Sequence, residues 1–95
     1  MANEGYHEPV NELSDKTRDF HRALQSLMEE LEAIDWYQQR VDVCKNDELK
    51  NILIHNRDEE VEHAAMIIEW LRRQDPVFEK ELKNYLLTDK PLSHD

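Results

Sequence analysis

The chain has 95 residues, 22 Asp+Glu against 12 Lys+Arg, a formal net charge of -10, one Gly, three Pro and one Cys. One glycine excludes Rossmann and P-loop nucleotide folds, which need several where backbone approaches phosphate, and one cysteine excludes a disulfide framework or a Cys-based zinc site. The charge argues against nucleic acid and for cations as partners, and no apolar stretch reaches the roughly 18 residues of a membrane span.

Residues 1–8 read as a flexible arm, and the polar, acidic stretch Met1–Leu13 is unlike a signal peptide. A long helix is expected from about Pro9 to Cys44. Its apolar residues, among them Leu13, Phe20, Leu24, Leu27, Leu31 and Ile34, recur at steps of three and four or multiples of them. Asn46-Asp47 is the one good internal turn signal. A second helix is predicted from that cap to about Arg73, with Asp47-Glu48 at its positive end and Arg72-Arg73 at its negative end. Asp75-Pro76 is a cap followed by proline at the first helical position, so a short third helix should run to about Leu87. Residues 88–95 form a polar tail. Cys44 reads as a free thiol of a reducing, cytoplasmic compartment.

Residues 1–95 therefore read as one all-α domain: an antiparallel two-helix hairpin with a short third helix. Helices of this size enclose little core alone, so a homo-oligomer is expected before any motif is weighed.

Two acidic segments carry the chemistry, Glu29-Glu30-Leu31-Glu32 and Asp58-Glu59-Glu60-Val61-Glu62-His63. Glu60 and His63 are three apart and share a helix face. With a turn centred near Lys45, Glu30 and Glu60 are equally far from it and sit at about the same height. A carboxylate facing a Glu-x-x-His is half of a carboxylate-bridged di-iron site. Two chains about a two-fold axis would complete it. Carboxylate oxygen plus imidazole suits iron, manganese or zinc.

An isolated Glu-x-x-His is more often a solvated acidic face than a ligand pair, and the matched Glu30 level reverses that balance. Glu59 and His63, four apart, also share a face, so spacing alone leaves Glu59 and Glu60 both open. Glu29 and Glu32 form their own pair pointing away from Glu30, either relaying metal or simply solvated. Trp36 reads as interface packing. Tyr37, two turns beyond Glu30, could reach a ligand carboxylate with its hydroxyl.

The run Met28-Glu29-Glu30-Leu31-Glu32-Ala33-Ile34-Asp35-Trp36-Tyr37, then His55-Asn56-Arg57-Asp58-Glu59-Glu60-Val61-Glu62-His63-Ala64-Ala65-Met66 and Glu69-Trp70-Leu71-Arg72-Arg73, resembles the encapsulated ferritins. These are ferritin-like proteins housed in encapsulin nanocompartments. The resemblance implies hairpin subunits that pair into a ferritin-like four-helix bundle, five such dimers forming a decameric ring. It implies that Glu30, Glu60 and His63 are di-iron ligands drawn from two chains. Tyr37 would be the tyrosine beside them, and Trp36 the adjacent tryptophan. Glu29 and Glu32 would form a secondary metal-entry site. The implied activity is a ferroxidase that oxidises Fe(II) with O₂ and passes iron to the encapsulin shell for storage.

Family members carry a short apolar C-terminal shell-targeting peptide with glycine, whereas this sequence stops at Leu92-Ser93-His94-Asp95. Either the chain is truncated, the favoured reading, or shell targeting is absent. The competing expectations are a non-catalytic acidic helical scaffold and a ferritin-like protein that reduces peroxide.

Overall fold

A computed structural model describes residues 5–93. A 3-10 turn, Val10–Glu12, precedes three helices: α1 (Asp15–Val43), α2 (Asp47–Gln74) and α3 (Pro76–Tyr85). Among the described residues there is no strand. The α1 and α2 helices pack as the long arms of an antiparallel hairpin, and α3 packs on α2.

Side chains that compete for backbone groups set the boundaries. The first long helix begins at Asp15 rather than at Pro9. Ser14 is extended and its hydroxyl accepts from the Thr17 N–H at 3.1 Å, which ends the preceding turn and starts a new helix. The Pro9 and Val10 carbonyls accept from the Glu12 and Leu13 N–H groups of the 3-10 turn, and the Arg18 guanidinium of α1 also donates to the Val10 carbonyl. Asn46 caps α2 by accepting from the Leu49 N–H at 2.9 Å, so the connection between the long helices is only Cys44–Asn46. Asp75 ends α2 and caps α3, its carboxylate accepting from the Val77 N–H at 3.3 Å. The third helix stops at Tyr85, two residues earlier than expected, because Leu86 turns extended and Leu87 takes a left-handed φ of 55°.

Of the expected arm, residues 5–8 are described. Tyr6 lies on α1, its ring centroid 4.2 Å from that of His21. Gly5 makes the approach with φ 88°, and a Cβ there would stand 3.1 Å from His21 Cε1. Residues 1–4, and His94 and Asp95 of the tail, lie outside the described residues.

Leu71 is fully buried and Ala64 nearly so. Phe20, Trp70 and Phe78 join the three helices, with ring centroids 6.1 Å (Phe20–Trp70) and 6.2 Å (Phe20–Phe78) apart. Arg72 of α2 fastens α3 by reaching Glu79 at 3.0 Å; it is itself held by Glu69 within α2 at 2.6 Å, and Lys83 reaches Glu79 within α3 at 3.3 Å. Many large apolar side chains stay exposed, including Leu24, Met28 and Leu31 on α1 and Ile52, Val61 and Met66 on α2. Contiguous exposed apolar surface of this kind is what interaction sites present. No helix among the described residues is long and apolar enough to cross a membrane.

Candidate metal centre

The hairpin brings Glu30 of α1 against Glu60 and His63 of α2. One donor atom from each lies within 4.8 Å of the others. His63 Nδ1 is 3.4 Å from Glu30 Oε2 and 3.9 Å from Glu60 Oε2. Equal rise along two antiparallel helices sets the Glu30–Glu60 level, and the three-residue step turns His63 to the same face. Both carboxylate side chains are 24% exposed, the imidazole more so.

The electrostatics are those of anions crowded together. Glu60 is held above the ordinary carboxyl value, first by proton sharing with the Glu30 carboxyl and then by burial and the charge of Glu30, against the pull of His63. Glu30 Oε2 is buried and accepts no hydrogen bond; His63 Nδ1 stands at ion-pair distance without the alignment of one. A buried carboxylate oxygen with no donor asks for a cation. Two carboxylates and an imidazole are the donor set for a hard divalent ion such as iron, manganese or zinc.

His63 also belongs to a second trio with Glu59 and Glu62. Glu62 escaped the sequence reading, although its three-residue step from Glu59 was a visible signal. This trio lies on α2 alone, and both its carboxylates are exposed. Glu59 Oε1 is engaged by His55 Nε2 at 3.6 Å. Of these two trios among the described residues, the Glu30–Glu60–His63 trio is the one that spans both helices and keeps its carboxylates half-buried.

The remaining expected residues have surroundings of their own. Tyr37 is half-buried with the Arg40 guanidinium 5.3 Å from its ring centroid. Trp36 is exposed. Glu29 and Glu32 are exposed and fall in neither trio; Glu29 borders an open trough with His21, Gln25 and Ser26.

Comparison with known proteins finds a family model described as EncFtn-like matching residues 5–89. A ferritin-like protein of Thermotoga maritima is 59% identical over 88 residues, spanning 93% of this chain and 77% of that one. An encapsulated ferritin-like protein of Rhodospirillum rubrum is 55% identical over 87 residues, 92% of this chain and 62% of its own length. The encapsulin nanocompartment cargo protein EncC of Myxococcus xanthus is 47% identical over 47 residues, half of this chain and 36% of its own. A crystal structure of a protein from Nitrosomonas europaea matches with a TM-score of 0.90 and 68% identity, covering 95% of this chain and 99% of that one.

Proposed function

The chain belongs to the EncFtn-like family, and from that premise we propose that it is a ferroxidase, taking Fe(II) as substrate and O₂ as oxidant. The observation that carries this reading is the cross-helix trio: Glu30 and Glu60 half-buried, His63 within reach of both, and a Glu30 oxygen with no hydrogen-bond donor. Each Fe(II) would give up one electron to O₂, and the two carboxylates offset the charge that its oxidation adds. Imidazole and carboxylate oxygens hold Fe(III) as well as Fe(II), so the site need not rebuild between them.

One chain supplies one facing Glu and one Glu-x-x-His, half of the ligand set of a ferritin-like di-iron bundle. A second copy completes the set. The exposed apolar surface of the hairpin supports such pairing. In this reading dimers close into a decameric ring. Tyr37 and Trp36 border the site. Glu29 and Glu32 sit where arriving Fe(II) first meets carboxylate, and the net charge of -10 raises local cation concentration. The relatives named as encapsulated ferritin and encapsulin cargo support a place inside a cytoplasmic encapsulin shell, which would store the oxidised iron.

The test is aerobic Fe(II) oxidation, followed by absorbance, for the wild type and Glu60→Ala side by side. Fast oxidation in the wild type with buffer-rate oxidation in the variant is expected. Buffer-rate oxidation in both would overturn the activity; fast oxidation in both would overturn the ligand assignment.

A further inference from the structure

Beyond His63, α2 carries a row of oxidisable side chains. Met66 is three residues after His63, about 60° around the axis from it and one turn along. Trp70 follows four residues later. Helix neighbours at these steps have Cβ atoms about 5–6 Å apart, and helical side chains lean back toward the N-terminus. Trp70 therefore leans toward Met66, and Met66 toward the turn of Glu62 and His63. Met66 and Trp70 line one open groove with Glu62, Ala65, Glu69 and Arg73. Half of those lining residues are charged, which suits the groove to water rather than to an apolar partner. Trp70 also has a structural task. Its ring meets Phe20, which in turn meets Phe78, and of these three rings Trp70 is the most exposed.

Exposure alone does not single out Met66, because Met28 is 56% exposed against 59% for Met66. Position does. Met28 is two residues before Glu30, about 160° around α1 from it, whereas Met66 shares the side of α2 that carries His63. We propose that Met66 is a sacrificial modification site: its sulfur intercepts peroxide on the metal-centre side of the groove and so spares Trp70. The step is an oxygen transfer. The O–O bond of hydrogen peroxide breaks, one oxygen bonds to the sulfur, and the other leaves as water. The sulfur loses two electrons and becomes a sulfoxide, which reductases can reverse. The indole of Trp70 would take oxygen by the same exchange, in the ring that joins the helices. The source of peroxide rests on the ferroxidase reading: O₂ that takes one electron from each of two Fe(II) ions, with two protons, becomes hydrogen peroxide.

The experiment is peptide mass spectrometry of the full chain, wild type and Met66→Leu, after two treatments. Leucine keeps the volume and the helix preference of methionine, so circular dichroism and the rate of Fe(II) oxidation should not change. In the first treatment Fe(II) is added in air. The wild type should gain one oxygen on Met66 before Met28 gains any. Equal gain on Met28, or none on Met66 while iron is oxidised faster than in buffer, overturns the proposal. In the second treatment Fe(II) and hydrogen peroxide are added together, so that the oxidant is present whatever the chain's own activity. Trp70 should gain oxygen severalfold faster in Met66→Leu than in the wild type. Equal Trp70 oxidation in both overturns the proposal. Buffer-rate iron oxidation in the first treatment overturns the ferroxidase reading instead, and the second treatment then decides the role of Met66 by itself.

Discussion

His63 Nδ1 stands closer to Glu30 Oε2, on the other helix, than to Glu60 Oε2 on its own, 3.4 Å against 3.9 Å. The trio is therefore a product of the hairpin and not of local helix spacing. Changing the pairing of α1 with α2 by one residue would move the Glu30 Cα by about 1.5 Å along the axis and rotate its side chain by about 100°. The short Cys44–Asn46 connection and the Asn46 cap hold that register.

Because only one trio joins both helices, its members should dominate metal affinity. Glu30→Gln keeps size and removes the anion. Anaerobic titration with Zn(II), a redox-silent probe, should show at least about tenfold weaker binding, as loss of a direct ligand is no milder than loss of a residue that only supports one. Glu59→Gln and Glu62→Gln should stay within about twofold, as exposed carboxylates in water gain little from a cation. The reverse ranking would make the outer trio the site and remove Glu30 from the ligand set.

Leu71 is the one described side chain with no exposure, so the hairpin's own core rests on it. Leu71→Ala should cost about 2–5 kcal/mol in urea unfolding. A loss below about 1 kcal/mol would mean that stability comes from contacts between copies rather than from this core.

The helices were largely legible because apolar periodicity, Asn46 and Asp75-Pro76 act locally. The equal distance of Glu30 and Glu60 from the turn was legible for the same reason: a hairpin with a short connection has one register. The start of α1 was not, because Pro9 and Ser14 are both good helix openers and only the Ser14–Thr17 contact decides between them. Nor was the end of α3, where Leu87 adopts a backbone conformation that its residue type does not advertise. Glu59 against Glu60 needed the third dimension, since both keep step with His63 along the sequence. Arg72 and Arg73 looked like dipole-matched cations at a helix end. Their larger role is to clamp Glu69, a spacing of three and four that was there to be read. Tyr6 against His21 had no local signal at all, since the contact closes across a bend.

Arg72 and Arg73 hold the half-exposed Glu69 carboxyl down to about 2 from 4.5, chiefly by hydrogen bonding from Arg72. A folded-state value below the unfolded one adds stability above 4.5 that fades as pH falls through about 2. Glu69→Gln keeps the shape and loses the charge. The melting-temperature gap between wild type and variant should be constant above about pH 6 and close on acidification. Arg72 also holds Glu79, so amide exchange should show α3 loosening first. A gap that persists at pH 2 would mean that the pairing contributes nothing that titrates.

The last prediction sets stability against binding at Glu60. Without metal, its carboxyl shares a half-buried space with Glu30, and proton sharing, burial and repulsion all disfavour its charge. Glu60→Gln relieves that conflict at nearly constant volume. The metal-free variant should melt no lower than the wild type. The wild type should gain stability from Zn(II) by mass action, about 2.7 kcal/mol at a hundred times the dissociation constant, which is roughly 10–20 degrees for a domain of this size. The variant should gain almost none. A metal-free variant that melts lower than the wild type, yet still rises with Zn(II), would mean that Glu60 supports the fold and leaves the cation to other residues.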